Sequence, residues 1–414
     1  MHAPLKGRLI GIEKPFYRIQ NEHGCSEIQA DPIEPIHLGD IVEAIRGQIR
    51  VLTPNRGPHP QTSWIQKTLH PRRLQCLEMR SRVETGIREF FLSQSFREVR
   101  TPLLVPCPGM EPHIRPFQIQ PTPSSKIPIF LPTSPEFAMK RLLVGGLEKI
   151  FQIAPAFRDE PLSRTHLPEF TLLEWYRAYS QYEKIMEDTE NLFYFLTMRF
   201  FGKPFLPFQG KEISILPPWP RLKIRDLFLD LAGIDLIKKS TVELLSNECH
   251  RFKIPTSPKE TWDDLYFKIW LNIIEPQLPQ DQALFVTRYP PSQAALSVID
   301  SDPDGSLWAR RFEIYACGIE LGNAFEELTD PIEQRRRFEE DMQLRSQIYG
   351  PSFANTPLDE EFLEALTEGM PPSSGIAIGV DRMVMLFANE KDISFTVWLP
   401  PDSEGSRMGN LLFR

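Results

Sequence analysis

Three stretches of this 414-residue chain collect side chains able to do chemistry. The first runs Phe157-Arg158-Asp159-Glu160-Pro161-Leu162-Ser163-Arg164-Thr165-His166-Leu167-Pro168-Glu169-Phe170-Thr171-Leu172-Leu173-Glu174-Trp175-Tyr176. It reads as a strand ending in Arg-Asp-Glu, a polar loop carrying Arg164 and His166, and a returning strand. Alternation puts Phe170, Leu172, Glu174 and Tyr176 on one face and Thr171, Leu173 and Trp175 on the other. That face offers an aromatic ring, a carboxylate and a phenol, and the loop offers an arginine fork suited to phosphate oxygens. Such groups serve adenine stacking, phosphate clamping and recognition of an amine. The same residue types also fit a solvated hairpin over a buried aromatic face.

The second stretch, Arg311 to Glu327, reads as two strands around Gly318. A four-residue turn at Tyr315 to Gly318 predicts that Ile314 faces Ile319 and Glu313 faces Glu320. Two carboxylates directly opposite repel, and Mg²⁺ shared with nucleotide phosphates would relieve the repulsion. This predicts a Mg²⁺–ATP site at Glu313 and Glu320, unless another register splays the pair into solvent. The third stretch, Gly375-Ile376-Ala377-Ile378-Gly379-Val380-Asp381-Arg382, is a small-residue strand meeting a helix. Gly379 would let a flat ring approach the backbone, and Arg382 in the first helical turn would favour an anion. An ordinary strand–helix junction with a surface arginine has the same composition.

The elements that must position these groups are legible in outline. A helix is predicted at about 74–95, and prolines 102, 106 and 108 enforce extended chain beyond it. Ser134-Pro135-Glu136 opens a helix, with serine as cap, proline in the first turn and glutamate at the positive end. Gly145-Gly146 closes it. Strands at 149–157 and 168–178, a helical region at 181–200, mostly helical chain over 220–285, helices at 332–347 and 358–368, and a strand at 376–379 running into a helix at 380–388 complete an α+β domain. Ahead of it, residues 5–52 read as four or five short strands, a small β module, and 53–60 as a proline-stiffened linker. The expected organisation is a β module at 1–65, a catalytic domain at 70–398 and a tail at 399–414.

Composition excludes several classes. The hydrophobic share of 41% and charged share of 25% are those of a folded globular chain. No apolar run is long enough to span a bilayer, and the first residues carry no secretory pattern. A net charge of −8 argues against a generic polyanion binder. Five scattered cysteines without a C-x-x-C pair predict neither a disulfide framework nor a zinc site, and fit a reducing cytoplasm. There is no Walker loop, no G-x-G-x-x-G fingerprint, no H-E-x-x-H and no G-x-S-x-G. A nucleotide would have to be held by another design.

Taken together, the three stretches resemble the catalytic domain of class II aminoacyl-tRNA synthetases, in the lysine-specific branch. Phe96-Arg97-Glu98-Val99-Arg100 before Pro102 is similar to the dimer-forming first motif, Arg158 to Tyr176 to the second, and Gly375 to Arg382 to the third. Thr133-Ser134-Pro135-Glu136 with Met139-Lys140-Arg141-Leu142, and Gly318 to Glu327, are similar to the lysine-binding segments. Glu174-Trp175-Tyr176-Arg177, Pro291-Ser292-Gln293-Ala294-Ala295-Leu296 and Ala377 resemble the elongation factor P–(R)-β-lysine ligase subgroup. The resemblance covers about 74–390. It implies a six- or seven-stranded antiparallel sheet flanked by helices, a homodimer, and ATP-dependent formation of an aminoacyl-adenylate. The ligase subgroup resembles a bare catalytic domain and the synthetases carry a larger OB barrel, so the front module, too short for a full barrel, reads as a reduced OB-like one.

By position, the resemblance implies that Arg158 holds the α-phosphate and Arg382 the γ-phosphate, as the catalytic pair. Phe170 would stack on adenine, with Asp159, Glu160, His166, Leu167, Leu321 and Gly379 around the ATP. Glu320 with Glu313 would hold Mg²⁺. Glu327 and Tyr176 would take the side-chain ammonium, Glu136 with Ser134 and Pro135 the other amine, Asn323 the carboxylate, and Phe325 the methylene stem. Leu167 and Asp159 stand where the family usually has asparagine, and Leu167 removes a hydrogen bond near the ATP. Ala377 stands where lysyl-tRNA synthetases typically have glycine, a change worth ~1–3 kcal/mol in substrate discrimination. The expected reaction is transfer of lysine or (R)-β-lysine to elongation factor P. Charging of tRNA is the alternative, disfavoured by the acidic balance and the short front module. A non-catalytic paralogue that binds a partner or amino acid is the third reading, on the strength of Leu167.

Overall fold

A computed structural model describes residues 3–57, 68, 70–120, 127–350 and 357–401. Two compact units contain them, one within 1–80 and 394–414, the other 81–393. The first unit carries β1 (Leu5–Glu13), β2 (Phe16–Asn21), β3 (Gly24–Gln29), β4 (Asp31–Pro32), β5 (Ile41–Ile45) and β6 (Gln48–Thr53), ordered β3-β2-β1-β5-β6-β4. This is six strands where apolar clustering predicts four or five. Gly24–Gln29 escapes a hydrophobicity reading because Cys25, Ser26 and Glu27 are not a buried apolar set, and Asp31–Pro32 adds two residues parallel to β6. Leu9, Tyr17, Ile19, Val42 and Ile49 close the core of this sheet. Positions 58–60 of the expected linker and 402–414 of the expected tail lie outside the described residues.

The chain continues through α1 (Pro71–Ser93), β7 (Arg97–Glu98), α2 (Glu136–Val144), β8 (Lys149–Phe157), β9 (Glu169–Ala178), α3 (Tyr182–Phe201) and β10 (Arg221–Lys223). It goes on with α4 (Ile224–Ala232), α5 (Val242–Arg251), α6 (Trp262–Ile269), β11 (Ala283–Tyr289), β12 (Ile299–Ser301), β13 (Leu307–Ala316) and β14 (Ile319–Glu326). Last come α7 (Pro331–Tyr349), α8 (Glu360–Gly369), β15 (Ser373–Gly379) and α9 (Val380–Phe387). Strands β7 to β15 form one nine-stranded sheet, ordered β10-β11-β13-β14-β15-β9-β8-β7, with β12 on β13. The run from β11 to β8 is antiparallel, as the resemblance implies. The two short edge strands pair parallel, and they raise the count above six or seven.

Alternation along β9 decides which side chains reach the site. Trp175 is fully buried on one face, against Phe91 of α1, which in turn stacks on Phe151 with ring centroids 4.9 Å apart. Arg177 is bound to Asp188 of α3 at 2.5 and 2.8 Å, which ties β9 to that helix. Leu172, Glu174 and Tyr176 then point to the opposite face. Register carries this face across the sheet: Glu174 pairs with Ala377, Ala377 with Asn323, and Asn323 with Glu313. The next row is Tyr176, Gly375, Phe325 and Arg311.

The expected facing of Glu313 and Glu320 is overturned. The β13–β14 turn is two residues, Cys317 (φ 52°) and Gly318 (φ 71°), both in the left-handed region that such hairpins use. A register shift between Ile314 and Tyr315 follows, so Glu320 faces Tyr315 and Glu313 faces Asn323. The α2 start also differs in detail. Pro135 is the cap residue, and the Ser134 hydroxyl accepts the Glu136 N–H at 3.0 Å.

Candidate active site

A cavity of about 630 Å³ opens on the face that carries Tyr176, Ala377 and Asn323. That size suits a nucleotide with a small partner. Of the expected residues, Ser134, Glu136, Arg158, Glu160, His166, Leu167, Phe170, Tyr176, Glu320, Leu321, Asn323, Phe325, Glu327, Ala377, Gly379 and Arg382 line it. Pro135, Asp159, Glu313 and Arg164 stand outside the lining. Asp159 is ion-paired with Arg115 at 2.8 Å, and Arg164 is exposed.

One end is acidic. Glu174 is fully buried and accepts hydrogen bonds from the Ser134 hydroxyl at 2.6 Å and the Tyr176 hydroxyl at 3.2 Å. Burial, with Glu136 nearby, pushes its carboxyl up to about 8, opposed by those two donors. Lys140 is equally buried, and its Nζ lies 2.6 Å from Glu136 Oε1 and 2.5 Å from Glu327 Oε2. Burial raises both Glu136 and Glu327 above the usual carboxylate range, against the pull of Lys140. The two carboxylates hold Lys140 protonated. Glu327 Oε1 is buried without a hydrogen-bond partner. Gly375 makes room for this arrangement, because a methyl group there would overlap the Tyr176 ring. Phe325 adds an apolar wall beside Tyr176 in the same row.

The other end is built from the 158–168 loop and the start of α9. The Arg158 guanidinium lies 5.1 Å from the Phe170 ring centroid, and its Nε is buried and unpartnered. Arg382 donates from Nη1 to the Glu320 carbonyl at 2.6 Å, and its Nη2 lies 2.9 Å from His166 Nε2. Burial and the Arg382 charge lower the His166 pKa, so a neutral ring accepts from Arg382. Its Nδ1–H then faces the Ser163 hydroxyl at 2.9 Å and the Thr165 hydroxyl at 3.1 Å. Buried Leu167 offers no hydrogen bond to the cavity wall. Above Gly379 a Cβ would meet only Arg382 methylenes, at 3.8 Å and beyond, so the backbone there is open to a flat ligand.

Mg²⁺ is implied by the resemblance, and the donor set accommodates it unevenly. The Glu320 carboxylate has only a loose 3.9 Å contact with Arg382 and faces the cavity. Desolvation between the cavity walls and the neighbouring Glu313 raise its pKa to about 7. Glu313 already accepts from Arg311 at 2.7 Å and from the Tyr315 hydroxyl at 2.9 Å. Glu320 is therefore the open ligand, with Glu313 behind it. Among the described residues no group of three or more His, Cys, Asp or Glu could hold a metal by itself, so phosphate oxygens would complete the shell.

Three site residues were not assigned from sequence. Glu174 was legible, since alternation sets it between Leu172 and Tyr176. Lys140 lies four residues after Glu136 on α2, a spacing that predicts contact, but its second partner is distant in sequence. Arg311 lines the cavity and binds Asn323 Oδ1 at 3.1 Å, the Gln293 carbonyl at 2.8 Å and Glu313. It shares a strand face with Glu313 and Tyr315, which was the available signal.

Comparison with known proteins agrees with this geometry. The family model "tRNA synthetases class II (D, K and N)" matches residues 60–403. The lysine–tRNA ligase of Dehalococcoides mccartyi is 37% identical over 321 residues, 78% of this chain and 63% of that protein. That of Pelotomaculum thermopropionicum is 34% identical over 81% of this chain and 65% of its own length. That of Coxiella burnetii is 31% identical over 95% of this chain and 76% of its own. The chain thus spans less than two thirds of the length of the first two relatives. Family match, antiparallel sheet and cavity lining coincide, and the chain belongs to the class II tRNA synthetases of the D, K and N group.

Proposed function

We propose that the chain activates lysine or (R)-β-lysine with ATP as an aminoacyl-adenylate and transfers the acyl group to a lysine side chain of elongation factor P. What carries the activation step is one cavity joining an acidic, amine-sized end to an arginine–aromatic end. Glu327 and the Tyr176 oxygen receive the side-chain ammonium, Glu136 the other amine, Asn323 the carboxylate, and Phe325 packs on the stem. The carboxylate attacks the α-phosphorus and pyrophosphate leaves. Arg158 neutralises charge at the α-phosphate and Arg382 at the γ-phosphate, so catalysis is positioning and electrostatics without a covalent enzyme intermediate. Phe170 stacks on adenine with Glu160 and His166 beside it. Mg²⁺, held by Glu320 and backed by Glu313, would neutralise phosphate charge. The neutral acceptor amine then attacks the acyl carbon, the bond from that carbon to the bridging oxygen breaks, an amide forms with loss of one amine proton, and AMP departs carrying the bridging oxygen.

Ala377 supports a β-amino substrate, because its methyl lies in the row between Glu174 and Asn323. A second reading, charging of tRNA, is favoured by the 31–37% identity to lysine–tRNA ligases. Leu167 alone favours a third, a binding protein without chemistry. Intact-mass spectrometry of elongation factor P after incubation with the protein, ATP and either isomer separates them. A gain of one lysyl unit supports the ligase. Pyrophosphate exchange without that gain points to tRNA, and neither activity points to binding alone. The same reading has the chain working as a homodimer, which light scattering would report as twice 47.9 kDa.

A further inference from the structure

We propose that Lys140 is a positioning residue of the amino-acid pocket, an internal ammonium that holds Glu136 and Glu327 from behind and leaves the pocket matched to two ligand ammonium groups. The proposal rests on the lysine-type substrate argued above and gives Lys140, so far only part of a segment similar to the lysine-binding ones, a task of its own. Its first support is layering. Glu136, Glu327, Ser134 and Tyr176 line the cavity, whereas Lys140 and Glu174 do not. Each hidden group grips two cavity-lining ones: Glu174 takes the two hydroxyls, and Lys140 takes the two carboxylates. Lys140 thus aims two of the front groups from behind the cavity lining.

The second support is a charge count. Three buried or nearly buried carboxylates, Glu136, Glu174 and Glu327, stand against the single ammonium of Lys140. Within these four groups two negative charges remain when all three carboxylates are ionised, and a diamino acid supplies two ammonium groups. The third support is an open acceptor, since Glu327 is buried and its Oε1 has no hydrogen-bond partner. The other groups acting on this cluster are Glu111 from the segment before α2, Glu174 and Tyr176 from β9, and Glu326 from β14. Glu111 opposes ionisation of Glu136 and Glu326 that of Glu327, while Glu174 is itself raised by Glu136. Lys140 is the cation that favours ionisation.

The test compares wild type with Lys140→Met and Lys140→Arg. Lysine binding is measured by calorimetry, and lysine-dependent pyrophosphate exchange is followed from about pH 6 to 9. Lys140→Met should raise KM for lysine ~10–100-fold, the scale of charge-assisted hydrogen bonds, with a smaller change in kcat. Its acid limb of kcat/KM should move up by about one pH unit, because the carboxylates lose the cation that keeps them ionised. Lys140→Arg should return the limb to its wild-type position. A purely structural lysine would raise KM and leave the limb in place, and that result overturns the proposal. So does an arginine variant whose limb stays shifted. If Lys140→Met melts below the assay temperature, Lys140→Gln is read by the same limb criterion. A wild-type protein that neither binds lysine or (R)-β-lysine nor exchanges pyrophosphate would overturn the activity itself, a failure distinct from this one.

Discussion

At Glu174, folding opposes ionisation. The carboxyl moves from 4.5 to about 8 because it is buried and has Glu136 for a neighbour. Its protonated form is favoured in the folded protein. The stability this confers is intact below about pH 4.5 and is lost as pH rises toward about 8. An ammonium ligand reverses the balance by favouring the charged form. Lysine binding near pH 7 should therefore release protons, and calorimetry in buffers of different ionisation enthalpy measures that release. Binding heats independent of the buffer would contradict it. At the other end of the cavity, Glu320 is the carboxylate with open coordination. Glu320→Gln should weaken Mg²⁺-dependent ATP binding by more than ~10-fold, since even outer partners of a metal act on that scale. Unchanged affinity would remove Glu320 from the metal site. The glutamate is easy to nominate from sequence, because a charge beside a hairpin turn invites explanation. Its setting is not, because the partners of Glu313 are Arg311 and Tyr315 rather than Glu320.

Elements decide what single residues can do. The β9 strand was legible as alternation: it sets Trp175 and Tyr176 on opposite faces, and the structure buries Trp175 and turns Tyr176 to the cavity. The β13–β14 hairpin was legible as two strands and illegible in register. Cys317 does not advertise the left-handed conformation it adopts, and the shift at Ile314–Tyr315 has no compositional mark. One residue of slip exchanges the faces of a strand, so the pairing of Glu313 could not be inferred from spacing. Two substitutions test how the sheet holds the site. Gly375→Ala would drive a methyl into the Tyr176 ring from the neighbouring strand. It should weaken lysine binding while leaving most of the fold in place, which a ligand titration paired with circular dichroism checks. Arg177→Ala removes the partner of buried Asp188. An unpaired buried charge costs about 3–5 kcal/mol, so the melting temperature should fall markedly. A melting temperature equal to wild type would mean that β9 is held to α3 by packing alone.

Across the whole chain, 47 basic residues stand against 55 acidic ones, a net charge of −8. That balance bears on the acceptor, a feature of the reaction that the cavity does not determine. A tRNA acceptor must be gripped along its phosphate backbone, and each neutralised phosphate releases a counterion. The logarithm of affinity then falls with the logarithm of salt at about 0.7–0.9 per phosphate contacted. A single lysine side chain reaching the cavity releases no comparable set of ions. Acyl transfer to elongation factor P should therefore decline gently with added salt, beyond whatever salt does to adenylate formation. Pyrophosphate exchange, which involves no macromolecular acceptor, supplies that baseline in the same buffers. The two rates should run nearly parallel as salt is raised. If tRNA is instead the true acceptor, aminoacylation of tRNA will be the faster reaction and will fall away from the exchange baseline with a slope of several units. That outcome would move the assignment to the tRNA-charging reading without disturbing the adenylation site, because the sheet rows that place Tyr176, Ala377 and Asn323 serve either acceptor equally.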